Sequence, residues 1–183
     1  MSTLSPRTRF VILGVLCIEP MSGYDLKHNI DEMVAGFWNE SYGQLYPTLK
    51  QLTVEGLVTA ADAATGARRR TVYTLTPAGR AALAAWLAEP PAIEHSRNET
   101  ALKVFFGAAA PPGAVVGHLS ATAGRSRAQA AQLARVAAAL GATDPPPPEL
   151  IWWTLTLDLG QRVALARAEW AEAALRTLGS GRD

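Results

Sequence analysis

Cysteine, histidine and net charge are all scarce in this chain, and each scarcity argues against a class of protein. The single cysteine, Cys17, excludes an internal disulfide and any cysteine-rich metal site. His28, His95 and His118 stand far apart, and none has a second ligand at the spacing of a metal site. A Gly-rich phosphate loop, a Gly-x-Ser-x-Gly motif and a Cys–His pair in a recognisable context are also missing. The sequence therefore predicts neither an enzyme nor a metal sensor, and no cofactor is expected.

Long apolar runs are lacking too. The run Phe10–Ile18 is too short to span a bilayer, ends at Glu19-Pro20, and is not followed by the small-residue cleavage site of a signal peptide. We therefore expect a cytoplasmic protein with no membrane partner. The formal net charge is only +1, so the whole molecule gives no argument for nucleic-acid binding. Any basic surface for such a partner must be local.

The first part of the chain has the pattern of three short helices. The first covers Arg7–Ile18 and is stopped by Pro20. The second begins at Ser22, which forms an N-cap pair with Asp25. A third is predicted to begin at Ser41, only a few residues after the second ends. Three short helices, the last two closely linked, are typical of a helix-turn-helix.

The third predicted helix, Ser41–Thr53, has two different faces. Leu45, Leu49 and Leu52 stand at i, i+4 and i+7 and predict a buried stripe. The other face is polar and aromatic, with one charge, and such side chains hydrogen-bond phosphates and base edges. By itself the stretch fits a DNA-recognition helix and an ordinary amphipathic surface helix equally well. The residues predicted to face outward are Tyr42, Gln44, Tyr46, Thr48, Lys50 and Gln51.

A hairpin with a basic tip is predicted to follow. Leu57–Ala61 and Thr71–Leu75 read as strands, and the segment between them ends in the three consecutive arginines Arg68, Arg69 and Arg70. Residues 41–80 carry five basic side chains against two acidic ones, a local charge of +3. A solvated charge run is the bland alternative, but beside a candidate recognition helix we favour phosphate contact. Three helices and a basic hairpin predict a winged helix.

A domain boundary is predicted at Pro90-Pro91. Before it, Thr76-Pro77 starts a fourth helix, with Thr as N-cap and Pro at the first helical position. The predicted fold is mainly α with a small β-hairpin wing. It comprises an N-terminal winged helix-turn-helix domain, residues 5–90, and a C-terminal all-α dimerisation domain with long helices, residues 91–183.

Two long helices are predicted in the second domain. In Val115–Leu140 the apolar and small positions alternate by four and three residues, which is typical of a helix pair. Leu150–Leu178 carries one continuous stripe, and its length suggests that it pairs with a partner. The residues predicted to lie at a dimer interface are Leu119, Leu133, Trp152, Leu159, Val163 and Trp170.

Six motifs in the first half carry a family resemblance: Leu13-Gly14-Val15-Leu16, Ser22-Gly23-Tyr24-Asp25-Leu26, Gly43-Gln44-Leu45-Tyr46-Pro47-Thr48-Leu49, Glu55-Gly56-Leu57-Val58, Tyr73-Thr74-Leu75-Thr76 and Pro77-x-Gly79. With these motifs, which cover roughly residues 10–88, the chain resembles the PadR-like winged-helix transcription regulators. The second half is similar, on looser anchors such as Phe105-Phe106 and Trp170, to the helical C-terminal domain of the longer, virulence-activator-like members.

The resemblance implies a homodimeric DNA-binding regulator, usually a repressor, acting on an inverted-repeat operator. The helix matching Ser41–Thr53 would enter the major groove of double-stranded DNA, and the hairpin would touch the backbone or the minor groove. Pro47 would then stand sixth in its helix, where its ring clashes with the carbonyl of Gly43, so we expect a slight kink. The matching DNA-contact positions are Tyr42, Gln44, Tyr46, Pro47, Thr48 and Lys50, with Tyr24 near the phosphates.

Two further expectations concern effectors and partners. Some members of the family bind flat aromatic molecules, so a small aromatic effector near Trp86, Trp152 and Trp153 is a possibility that the resemblance raises. Aromatic side chains are more often core or interface residues than ligand contacts. The competing interpretation of the whole chain is a winged helix used for protein–protein assembly, without a DNA target of its own. The near-zero net charge leaves that alternative open.

Overall fold

Helices and one small sheet account for most of the residues that the structure describes. The computed structural model describes residues 7–33, 44–65, 68–93 and 98–180. The chain separates into two compact units, Met1–Ile93, called here the winged-helix unit, and Glu94–Asp183, called the helical unit. The first contains α1 (Thr8–Ile18), β1 (Met21–Ser22), α2 (Gly23–Met33), α3 (Leu45–Val54), β2 (Val58–Thr65), β3 (Arg68–Leu75) and α4 (Pro77–Ala88). The second contains α5 (Glu99–Phe105), α6 (Ala114–Gly141) and α7 (Leu150–Ser180).

The core of the winged-helix unit is built from the apolar stripes of its helices. The predicted stripe of α3 is confirmed, because Leu45, Leu49 and Leu52 are at most 1% exposed. Leu26 and Ile30 of α2 are fully buried in the same cluster. The cluster therefore fixes which face of each helix is left for solvent or a partner.

The sheet has three strands in the order β1-β3-β2, all antiparallel. Strand β1, which was not predicted, pairs Met21 with Tyr73 and Ser22 with Val72. The prediction that the segment before Thr71 is a connecting tip is wrong, since β2 and β3 pair without interruption out to Thr65 and Arg68. Alanine and arginine have no marked strand preference, so cross-strand pairing extends these strands against local propensity. The three arginines therefore belong to β3.

Helix α4 begins with the predicted cap. The Gly79 N–H donates to Thr76 Oγ1 at 3.0 Å, and the Thr76 hydroxyl lies 2.8 Å from the Gly56 carbonyl oxygen. A Cβ on Gly79 would lie 2.1 Å from the carbonyl oxygen of Leu57. Glycine is therefore required where α4 starts against the chain that enters β2.

The helical unit is held together by the packing of α6 on α7. The contact uses small side chains, with Ala123 and Ala130 of α6 and Ala164, Ala168 and Ala171 of α7 all buried. Small residues let two helix backbones approach closely, as the alternating pattern of α6 predicted. On the exposed side of this contact, Arg127 of α6 makes a bidentate ion pair with Glu172 of α7, with N–O distances of 2.9 and 2.8 Å.

Candidate nucleic-acid interface

Helix α3 presents one polar face to solvent. Tyr46 is 58% exposed, and Pro47 and Lys50 are also exposed, on the side opposite the leucine stripe. Gln44 occupies the N-cap position and is partly exposed. The predicted contact residue Tyr42 and the predicted start at Ser41 lie outside the described residues. The exposed set is compact and carries a single positive charge.

Pro47 does not require a kink. The helix begins at Leu45, so Pro47 is its third residue. The first four N–H groups of an α-helix have no partner within the helix, and a proline there removes no hydrogen bond. The expectation that Pro47 stands sixth in its helix is therefore wrong, and the reason for expecting a kink no longer applies. Its exposed ring remains a rigid apolar element on the outward face.

Thr48 faces inward. It is 5% exposed, and its hydroxyl donates to the carbonyl oxygen of Gln44 at 2.7 Å. The prediction that its side chain belongs to the outward face is wrong. The physical reason is its spacing: Thr48 stands three residues after Leu45 and four before Leu52, which places it on the buried stripe.

The N-terminus of α2 adjoins the exposed face of α3. Tyr24 is 76% exposed there. The ring of Tyr46 packs on Gly23, where an added Cβ would lie 2.7 Å from Tyr46 Cε1. One exposed tyrosine from each helix therefore lies at the start of α2. Free N–H groups and the helix dipole make such a terminus favourable for a phosphate.

The predicted cap of α2 is confirmed and has a further member. The Asp25 N–H donates to Ser22 Oγ at 3.3 Å, and the Ser22 hydroxyl lies 3.0 Å from Asp25 Oδ2. Arg70 of β3 reaches the same group: its Nη2 donates to Ser22 Oγ at 3.0 Å and forms an ion pair with Asp25. From the sequence, Asp25 is predicted only to cap α2, because no local pattern links it to an arginine 45 residues later.

The other two arginines of the wing are placed by their backbone. Arg69 pairs with Ala64 and Arg68 with Thr65, at the end of β3 nearest the hairpin turn. The positions of their side chains lie outside the described structure. Both stay predictions as phosphate contacts.

The C-terminal end of α3 is tied to α1. Arg9 forms an ion pair with Glu55 at 2.6 Å, and Gln51 Nε2 donates to the other oxygen of the same carboxylate at 2.8 Å. These two bonds occupy both carboxylate oxygens of Glu55, the C-cap residue of α3. Gln51, predicted to face outward, is thereby held toward Glu55.

The tryptophans predicted to meet an effector are found in different surroundings. Trp86 is partly buried and stacks on Phe10, with ring centroids 4.6 Å apart and planes 5° apart. Trp152 of α7 is 67% exposed, whereas its neighbour Trp153 is partly buried. Trp86 therefore has a packing role within the winged-helix unit, and Trp152 offers the largest free aromatic surface of the three.

Of the residues predicted for a dimer interface, two lie on α6 and four on α7. Leu119 is fully buried within the helical unit, beside Ala123 and Ala171, so its prediction as an interface residue is wrong. Leu133 is partly buried and packs toward Gly160 of α7, where an added Cβ would lie 3.1 Å from its Cδ1. The remaining four lie on α7 and are between 39% and 67% exposed: Trp152, Leu159, Val163 and Trp170. Together with Leu155, which is 57% exposed, they form what we call the α7 apolar face.

Within residues 7–33, 44–65, 68–93 and 98–180, no helix is both long and apolar enough to cross a membrane. Over the same ranges, no three His, Cys, Asp or Glu side chains are grouped so that they could hold a metal ion.

This combination of helices, three-stranded sheet and projecting hairpin defines a winged-helix protein with a second, all-helical unit. Residues 12–85 match the transcriptional regulator PadR-like family, and residues 96–179 match the virulence activator alpha C-terminal family. The chain thus carries a PadR-like domain followed by a virulence activator alpha C-terminal domain, the arrangement of a long-form PadR-like regulator. Members of this family regulate transcription and are not classed as enzymes.

Relatives of known structure extend over both units. The negative transcriptional regulator PadR of Bacillus subtilis (strain 168) is 36% identical over 100 residues, 54% of this chain and 55% of that protein. The aligned sequence thus spans about half the length of that curated relative. The crystal structure of B. subtilis PadR in complex with operator DNA has a TM-score of 0.83 at 26% identity, covering 95% of this chain and 99% of that one.

Two further structures are similar over nearly the whole chain. B. subtilis PadR in complex with p-coumaric acid has a TM-score of 0.75 at 26% identity, covering 97% of this chain and 99% of that one. The Vibrio cholerae virulence activator AphA has a TM-score of 0.74 at 28% identity, covering 94% and 98%. The fold of both units is thus one that transcription regulators use.

Proposed function

We propose that this protein is a sequence-specific DNA-binding repressor that acts in the cytoplasm as a homodimer on an inverted-repeat operator. The observation that carries the proposal is the exposed face of α3. Tyr46, Pro47 and Lys50 point outward while the leucine stripe anchors the helix, so its position on the unit is rigid. A rigid helix with an exposed polar and basic face suits the major groove of B-DNA, which is about 12 Å wide.

The contacts divide into two kinds. Gln44, at the start of α3, is suited to pair with adenine through its amide, and Lys50 and Tyr46 with base edges or phosphates. Tyr24 and the α2 N-terminus lie beside this face and suit a phosphate oxygen. The list of proposed contacts also includes Tyr42 from sequence, and Arg68 and Arg69 from the wing.

The α7 apolar face supports the proposed homodimer. Its five side chains are exposed in the single chain, and a contiguous exposed apolar surface of this kind marks an interaction site. Two-fold pairing through α7 would give the dimer two copies of α3, one for each half of an inverted repeat. We therefore expect half-sites with centres about 34–36 Å apart, one turn of the helix.

Repression and release by an effector are proposed from the relatives. The B. subtilis relative is named a negative regulator, and one of its crystal structures contains p-coumaric acid. A planar aromatic acid is therefore the effector class to test first. Trp152 and Trp153 are the residues we would examine for it, by quenching of tryptophan emission in Trp152→Phe and Trp153→Phe variants.

The test of the proposed function is selection of bound fragments from genomic DNA, followed by footprinting. We expect a protected two-fold symmetric site. Gln44→Ala should relax sequence preference, whereas Arg68→Ala with Arg69→Ala should weaken binding to all sequences alike. If the arginine variant changes the preference and the Gln44 variant does not, the assigned roles are reversed. If no fragment is enriched, the proposal fails.

A further inference from the structure

Arg70 is held by the protein itself. Its Nη2 donates to Ser22 Oγ at 3.0 Å and pairs with the carboxylate of Asp25, which Ser22 also contacts at 3.0 Å. Ser22 is only 4% exposed, so the surrounding protein holds its hydroxyl in place. An arginine shared between a carboxylate and a hydroxyl is less available to a phosphate than a free one.

Arg70 lies in the part of β3 that has no partner on its β1 side. Strand β1 pairs with β3 only at Tyr73 and Val72, so from Thr71 outward the sheet has two strands. This two-stranded part, residues 62–65 and 68–71, is called here the outer hairpin. A two-stranded ribbon has little stability of its own. Arg70 stands two residues before Val72, on the same face of β3, just past the end of β1.

From these contacts we infer that Arg70 and Asp25 are positioning residues: their ion pair ties the outer hairpin to the N-terminus of α2 and so sets the angle of the wing toward DNA. The inference rests on the proposed DNA-binding function and changes one part of it. Arg70 acts through the wing and through Asp25, while Arg68 and Arg69 are left to meet phosphates. The pair also neutralises a carboxylate that would otherwise face DNA beside the α2 N-terminus.

Whether Asp25→Asn raises or lowers operator affinity distinguishes a positioning role of Asp25 from a purely electrostatic one. Asp25→Asn removes a negative charge near DNA, so electrostatics alone would strengthen binding to every sequence and steepen the salt dependence. If Asp25 positions the wing, the same variant should bind the operator about tenfold more weakly while its binding to random DNA does not fall. Asparagine is nearly the same size as aspartate and is tolerated near a helix start, so the fold should be retained.

Asp62→Asn is the matched control. Asp62 lies exposed on β2 in the outer hairpin and loses the same charge. Within the described part of the chain, its carboxylate accepts a single hydrogen bond, from Thr71 Oγ1 at 3.3 Å. We expect it to bind the operator as tightly as the wild type or slightly more tightly. In a double-mutant cycle, Arg70→Gln with Asp25→Asn should cost no more than either change alone, because both break the same contact.

Two measurements decide the inference: salt-titrated operator and random-DNA affinities, and amide hydrogen exchange of the DNA-free protein. Exchange in the outer hairpin should be faster in Asp25→Asn than in Asp62→Asn, with α1 unchanged. Tighter operator binding by Asp25→Asn, or additive losses in the cycle, would overturn the positioning role. If the wild type binds no DNA specifically, the proposed function fails, and equal exchange in the two variants would show separately that the pair does not hold the wing.

Discussion

Lys50 is the one charged residue on the exposed face of α3, and its replacement by alanine should weaken operator binding in a salt-dependent way. The side chain is exposed, and alanine has the highest helix propensity, so α3 and its buried stripe should be unaffected. What is removed is a positive charge at the surface proposed to meet the DNA. The effect should therefore be on binding and not on folding.

The size of the effect follows from counterion release. One lysine–phosphate contact contributes about 0.9 to the slope of log K against log salt, and a homodimer makes two, so the slope should fall by about 1.8. The counterion term vanishes near 1 M salt. At about 0.15 M salt the same change corresponds to a loss of roughly 30-fold in affinity.

The assay is fluorescence anisotropy of a labelled operator at several salt concentrations. Lys103→Ala is the control, because Lys103 lies in the helical unit, pairs with Glu99 at 2.9 Å and carries the same charge. Its slope should equal that of the wild type. A Lys50→Ala slope that matches the wild type, or an equal change in both variants, would refute the placement of α3 against DNA.

Three other predictions concern the scaffold. Gly79→Ala should destabilise the winged-helix unit by about 3 kcal/mol, since its Cβ would meet the Leu57 carbonyl oxygen at 2.1 Å; unchanged thermal unfolding would contradict this. Leu159→Asp should convert the proposed dimer to monomers in analytical ultracentrifugation, because two carboxylates would enter one apolar contact; a dimer that persists at micromolar concentration would argue for another interface. The hydrogen bond from Arg127 lowers the pKa of Glu172 below its ordinary value of 4.5. A lowered carboxylate pKa contributes stability above the unfolded-state pKa that is lost as pH falls through the folded-state value. Urea unfolding of Arg127→Gln should therefore show a smaller loss between pH 6 and pH 3 than the wild type, and equal losses would contradict it.

Local signals were enough to predict the helices of the winged-helix unit. The spacing of Leu45, Leu49 and Leu52 lies within three turns of one helix, and the caps at Ser22 and Thr76 bond to groups three residues away. Periodicity and capping are set by neighbours in the chain, so they can be read without knowledge of the fold. The helical unit was predicted on the same grounds.

Features that depend on distant partners were missed. Strand β1 has two residues and exists only because β3 lies beside it. The bonds of Arg70 depend on where Ser22 and the start of α2 lie in the fold. Helix α6 has several faces rich in small residues, and its alternating pattern did not show that Leu119 would pack against α7 of the same chain. In each case the deciding contact is far away in sequence.

The most direct test of the central claim is the binding of the full-length protein to DNA upstream of its own coding region and to fragments selected from genomic DNA, followed by anisotropy with excess random competitor. The account predicts tight, competitor-resistant binding of one dimer per two-fold symmetric site, with affinity that falls steeply as salt rises. Binding that is weak and equal for every fragment would contradict it. The winged helix would then be better explained as a module for protein–protein assembly.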